Sequence, residues 1–193
     1  MSESDQRHIT RDSLFVLAAL RLAGHDQTYR VKVRNLSAGG LMAEGNELLI
    51  EDNRIEDVLF GISLHRTNDS IVRRNRIRSR PADSAERGDG LRLWYSTGNR
   101  IEDNDIAQIR DITVSNSPRN RFVGNTVRDS RRALNFLFSN RTLVENNVFE
   151  NNSTGIIALN SDGLIIRRNR IVHSMDASGA GIALKETAAA LND

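Results

Sequence analysis

One phrase recurs six times between Asn46 and the last residues, and it constrains the fold more than any other feature of the chain. Leu49-Ile50-Glu51-Asp52-Asn53-Arg54-Ile55 returns as Ile71-Val72-Arg73-Arg74-Asn75-Arg76-Ile77 and as Arg100-Ile101-Glu102-Asp103-Asn104-Asp105-Ile106. It returns again at Phe122–Val127, Leu143–Phe149 and Ile165–Ile171. The asparagines, at 53, 75, 104, 125, 147 and 169, are 22, 29, 21, 22 and 22 residues apart. Self-similarity at such a period is the mark of a solenoid.

A second phrase, a small residue followed by alternating apolar positions, lies beyond each asparagine. Examples are Gly61-Ile62-Ser63-Leu64, Gly90-Leu91-Arg92-Leu93 and Gly155-Ile156-Ile157-Ala158. This pattern reads as a short strand entered through a tight corner. Three short strands and three corners per unit predict an all-β chain, a right-handed parallel β-helix of about six coils over residues 46–193. No 3.6-residue periodicity competes with it. Stacked at about 4.8 Å per coil, six coils make a core roughly 25–30 Å long. The asparagine at the corner tolerates left-handed backbone geometry, and its amide can stack with those above and below as a structural ladder.

Residues 1–45 do not share the repeat. Leu14–Ala18 is a continuous apolar run that periodicity alone cannot assign, whereas Tyr29–Arg34 alternates as a strand. Gly24-His25-Asp26-Gln27 between them predicts a short antiparallel hairpin, which can cap the first coil. Asn35–Gly40 then breaks the strand and Leu41-Met42-Ala43 resumes it. The apolar run is too short to cross a bilayer and lacks the flanks of a signal peptide, so the expectation is a cytoplasmic chain without membrane insertion. Lys plus Arg number 27 against 25 Asp plus Glu, with no basic block, which argues against nucleic acid. There are no cysteines, so disulfides, thiolate metal sites and cysteine nucleophiles are excluded.

Arg7-His8-Ile9-Thr10-Arg11 followed by Asn35-Leu36-Ser37-Ala38-Gly39-Gly40 resembles the PilZ family, whose motif is Arg-x-x-x-Arg and then Asp/Asn-x-Ser-x-x-Gly. That resemblance implies binding of cyclic di-GMP through Arg7, Arg11, Asn35, Ser37 and Gly40. Guanidinium forks suit phosphates and the guanine edge, and a glycine turn admits an anion to the backbone. The likeness ends near Gly45, making residues 1–45 a truncated PilZ-like segment.

The period fails in two places, at Pro81–Arg87 and at Met175–Ser178. Insertions in a solenoid become loops on one face, often the binding face. Next to the first lies Leu91-Arg92-Leu93-Trp94-Tyr95-Ser96, with the single Trp of the chain, so Trp94 and Tyr95 are the expected partner or glycan surface, unless they only pack a corner. Gly88–Ser96, Ser117–Arg121 and Ser130–Phe136 resemble NosD, a right-handed β-helix family associated with copper-site maturation of nitrous oxide reductase. The likeness covers residues 46–175 and implies an exported protein. Family members tend to carry Met-Tyr-Ser where this chain has Leu137-Phe138-Ser139 and Leu159-Asn160-Ser161.

Copper(I) takes thioether, thiolate or imidazole ligands. His173 and Met175 are the one local pair, at i and i+2, and would project to one side of a strand; copper is nevertheless not expected, and no cofactor is required. Glycan catalysis would need convergent carboxylates. Those available, Asp83, Glu86, Asp89, Asp103, Asp105 and Asp111, lie among arginines and read as solvated corners. The expected function is therefore non-enzymatic binding by a NosD-like β-helix fused to a PilZ-like motif, with cyclic di-GMP, a protein or a glycan as partner. The alternatives are a carbohydrate-active β-helix, or a composite or fragment with no intact site.

Overall fold

The computed structural model describes residues 16–21, 28–37, 40–79, 86–174, 179–188 and 191–192; for 16–44 and 191–192 it describes the backbone alone. Every element among them is a strand, and the strands form three sheets. A coil crosses the sheets in turn, as in Ile62–His65, Ile71–Arg73 and Arg76–Ser79, followed one coil on by Leu91–Trp94, Arg100–Glu102 and Asp105–Ala107. Pairing between coils is parallel and in register, giving the parallel β-helix of about six turns that the period predicts. No described helix is long and apolar enough to cross a membrane.

Register stacks like on like. Val72, Ile101, Phe122, Val144 and Ile166 form one inward column of the seven-stranded sheet, and all are buried. The nine-stranded sheet, called here the long sheet, contributes the columns begun by Ile62 and Leu64 and ended in the core by Ile156 and Ala158. Phe122 and Phe136 meet edge to face, with centroids 5.7 Å apart. Apolar burial of this kind supplies about 25 cal/mol per Å². The small residue entering each long-sheet strand is needed where coils approach most closely: a side chain at Gly61 would fall onto the carbonyl oxygen of Gly90.

The corners are held by side chains. Asn125 illustrates the rule. Its backbone N–H and its Nδ2 both donate to Oδ1 of Asn147, at 2.9 and 3.0 Å, and Nδ2 also donates to the Ile101 carbonyl at 2.8 Å. The same set joins Asn75 to Asn104, Asn104 to Asn125, and Asn147 to Asn169. The left-handed residue is not the asparagine, as its residue type suggested, but the one before it: Asp52, Arg74, Asp103, Gly124, Asn146 and Arg168 all have φ between 52° and 69°. That residue makes the bend, which frees the asparagine amide to point inward along the stack.

Further ladders run beside this one. The N–H of Thr67, Ser96, Ser117 and Ser139 each donates to the hydroxyl oxygen of the next coil's serine, Ser96, Ser117, Ser139 and Ser161, at 2.9–3.2 Å. Ser70, Asn99 and Asn120 form another, and Ser130 with Asn152 a fourth. The serine spacing of 21 and 22 residues was available in the sequence as a signal.

Residues 16–44 continue the long sheet rather than standing apart from it. Val16–Arg21 pairs antiparallel with Thr28–Ser37, as the predicted hairpin requires. Thr28–Ser37 then pairs antiparallel with Gly40–Glu44, which lies parallel to Ile62–His65 and starts the first coil. The strand continues through Asn35 to Ser37 and a new one starts at Gly40, so the expected break falls within residues 35–40. Asn35 pairs with Met42 and Ser37 with Gly40, with a register shift after Val33.

Because each ladder amide satisfies groups that would otherwise be buried without partners, Asn125→Ala is expected to cost about 2–4 kcal/mol in urea unfolding. Asn53→Ala, at the exposed end of the same ladder, is expected to cost about 0.5–1.5 kcal/mol. Equal losses at the two positions would show that the ladder is not the source.

Candidate functional site

The outward residues of the long sheet form columns too, and they differ from the inward ones in kind. One column runs Ser63, Arg92, Thr113, Asn135, Ile157. The next runs His65, Trp94, Ser115, Leu137, Leu159. At the corner where the strands end stand Tyr95, Asn116, Phe138 and Asn160, all left-handed with φ of 47–49°.

Three aromatic rings project from this corner. Trp94 is 45% exposed, Tyr95 55% and Phe138 51%. Trp94 and Tyr95 stack with an interplanar angle of 27° and centroids 6.4 Å apart, and His65 lies tilted on the other side of Trp94, also at 6.4 Å. The His65 Nδ1 is buried without a hydrogen-bond partner. Nine of the other non-glycine residues at positive φ are Asp or Asn, which adopt that region readily. Tyr and Phe do not, and a left-handed L-residue costs roughly 1–2 kcal/mol. Both rings stay about half exposed, and strain of this kind concentrates where a site needs a side chain held outward.

At the opposite end of the same strands sits a charged cluster. The Asp89 carboxylate, 2% exposed, accepts paired hydrogen bonds from Arg92 at 3.0–3.1 Å and from Arg110 at 2.9–3.1 Å. Asp111, equally buried, is held by Arg131, with Arg132 at 3.8 Å. These two carboxylates are therefore not the solvated corners that their place among arginines suggested. Burial against the core and closure by guanidinium forks decided otherwise. The Arg131 guanidinium is raised above its usual value, first by its bond to Asp111. Asp105 forms a third such group, bonded by Arg78 and Arg128 at 2.6 Å each. Burial pushes the Asp105 carboxyl up, but the bonds and charges of Arg128 and Arg78 outweigh it and hold it below the usual aspartate range.

The other sequence-derived residues scatter. Arg7, Arg11 and Met175 lie outside the described residues, as does Pro81–Ala85 of the first insertion. Asn35, Ser37 and Gly40 lie on paired strands of the cap, with Ser37 and Gly40 opposite each other where the chain reverses. His173 does not project from a strand: the strand ends at Val172, and His173 is an exposed left-handed corner residue with φ 55°. Among the described residues no three His, Asp or Glu side chains converge as a metal site. The imidazole beside the aromatic rings is His65, which spacing alone did not single out.

The family model described as periplasmic copper-binding protein (NosD) matches residues 77–191, more than half of the chain. The chain belongs to the NosD family. The matched span takes in Trp94, Tyr95, Phe138 and both buried aspartates, and it leaves out residues 1–45, for which nothing shows a PilZ segment. The NosD description names the periplasm, where the reading of the N-terminal residues expected the cytoplasm. No curated protein and no solved structure matches the chain.

A depressed carboxylate contributes stability above its unfolded-state value of about 4 and loses it as the pH falls through the lower folded-state value. Asp105→Asn is accordingly expected to unfold more easily than the parent chain at neutral pH and to converge with it in strong acid. A difference that stays constant with pH would mean that the Arg78–Asp105–Arg128 bridge is not what the substitution removes.

Proposed function

We propose that this NosD-family chain is a non-enzymatic binding scaffold that works in the periplasm in copper-centre maturation, and that its working surface is the outer face of the long sheet. The observation that carries this reading is the ridge of Trp94, Tyr95 and Phe138. Three large rings are held half in solvent, two of them on strained corners, on a fold whose other described left-handed corners carry polar or charged residues or Gly. A ridge that served only to pack the corner would be buried.

Catalysis has less support. The two buried carboxylates of the long sheet, Asp89 and Asp111, are closed by arginines and present no free base to a substrate. A metal-ligand role has less support as well, because His65 ends a long-sheet strand, His173 stands on a different corner, and no three described His, Asp or Glu side chains converge as a metal site. The cyclic di-GMP assignment of Arg7, Arg11, Asn35, Ser37 and Gly40 rests on its motif alone, and the strand pairing of three of them supports a capping role instead.

Two measurements test the proposal. Exchanging Trp94, Tyr95 and Phe138 for Ser is expected to leave the β-sheet circular dichroism unchanged and to abolish copper loading of nitrous oxide reductase in cells that depend on this chain. Normal loading by a folded triple variant would overturn it. Copper(I) competition titration is expected to detect no stoichiometric site; a site lost in His65→Ala or His173→Ala would instead assign the chain a direct metal role.

Relief of strain offers an independent check. Tyr95→Asn is expected to raise stability by up to about 1 kcal/mol while impairing function. A destabilised variant would show that the ring packs the corner.

A further inference from the structure

We infer that the outer face of the long sheet pairs with the same face of a second copy of this chain, the two rods lying antiparallel. The inference rests on the reading of that face as the working surface and names its partner. The corner column carries it. Successive backbone bonds stack Arg66, Tyr95, Asn116, Phe138, Asn160 and Glu186, one residue per coil. A base opens the column, an acid closes it, and rings alternate with amides between them. A two-fold axis lying in the face, parallel to the strands and between Asn116 and Phe138, inverts this order. Arg66 of each copy then faces Glu186 of the other, Tyr95 faces Asn160, and Phe138 faces Asn116. Such an isologous contact uses every complementary pair twice and closes at two copies. Both end residues are exposed. Arg66 makes no side-chain hydrogen bond or ion pair among the described residues, and Glu186 has only Lys185, at 4.0 Å.

The columns beside the corner obey the same inversion. In the column of His65, Trp94, Ser115, Leu137, Leu159 and Lys185, Trp94 comes onto Leu159 and Ser115 onto Leu137. Trp94 is 45% exposed, and Leu137, Ile157 and Leu159 stand half-buried on the outside of a sheet. Apolar side chains gathered in this way on a solvent face mark an association surface. His65 facing Lys185 is a poor match, which Glu186 beside Lys185 offsets. In the next column Thr113 comes opposite Asn135. Neither makes a side-chain hydrogen bond among the described residues, and a hydroxyl and an amide can satisfy each other across the axis.

The guanidinium cluster stands at the far end of the strands, where the same axis turns Arg110 toward Arg131 and Arg132 of the other copy. Like charges hold the faces apart there and confine contact to the side of the rings. A strip of six coils, about 25 Å long and about 15 Å wide, buries roughly 400 Å² per copy. That size belongs to weak, reversible association, with an expected dissociation constant of about 10–100 µM. The cap strands lie beyond Ile62–His65 in the long sheet, and so beyond the last coil of the second copy.

Sedimentation velocity of the full chain from about 5 to 500 µM is expected to show monomer converting to dimer. The emission of Trp94, the single tryptophan, is expected to move to shorter wavelength over the same range as the ring is covered. Arg66→Glu and Glu186→Arg, each checked for folding by circular dichroism, are expected to weaken the dimer about tenfold or more, because like charges then face each other. An equimolar mixture of the two variants is expected to regain it, since each supplies the charge that the other lacks. The doubly exchanged chain, Arg66→Glu with Glu186→Arg, is expected to regain it alone. A dimer that survives Arg66→Glu would overturn the arrangement and point to the last coil, where Ile182 and Leu184 are exposed. Failure of the mixture to associate would overturn it too, as would a monomer throughout the range. A monomeric chain whose Trp94, Tyr95 and Phe138 are still needed for copper loading would leave the ridge as the working surface, so the two failures are distinguishable.

Discussion

The hydrogen bond from a corner N–H to the side-chain oxygen one coil above holds this molecule together at the places where its sheets cannot. A parallel β-helix must bend sharply several times per turn, and each bend removes backbone groups from the sheet ladders while keeping them inside the stack. An unpaired buried amide costs about 1–3 kcal/mol, so a rod with unsatisfied corners would not fold. Asparagine solves the problem with one side chain, since its Oδ1 accepts from the coil below while its Nδ2 bonds backward and forward. Serine does the same with fewer bonds on the neighbouring corner. The core columns, the coil register and the straightness of the outer face all follow from these stacked corners.

Once the inward positions are committed in this way, function is left to the outward ones, where nothing in the fold dictates residue type. This explains why the face of the long sheet is heterogeneous while its interior repeats. Tyr95 and Phe138 stand at bends where polar or charged residues serve elsewhere and accept backbone strain to do so, and Trp94 projects from the strand beside Tyr95. The arginine-closed aspartates at the other end of the strands have a double character. They seal two coils together and leave a positive margin at the end of the strands away from the rings.

The N-terminal strands show how a solenoid ends without exposing a sheet edge of the coils. Gly40–Glu44 joins the first coil in parallel, and the strands before it reverse direction across the top of the long sheet. That arrangement makes Asn35, Ser37 and Gly40 part of a cap, which gives these residues of the Asn-x-Ser-x-x-Gly pattern a structural use where a ligand motif was expected. The same residue types serve turns, caps and anion sites, and the local pattern does not distinguish them.

The sequence by itself determined the class of fold, the approximate number of coils and the asparagine column, and it singled out Trp94 and Tyr95 without deciding that they are exposed. Periodicity is a one-dimensional property, and in a solenoid each coil contacts only its neighbours, so spacing along the chain translates directly into position along the rod. It did not determine which residue takes the left-handed bend, that Phe138 joins Tyr95 in one ridge, that His65 rather than His173 stands beside it, or that Asp89 and Asp111 are buried. Those facts depend on which side of a three-residue strand faces inward and on what lies one coil above. Only stacking in three dimensions decides that.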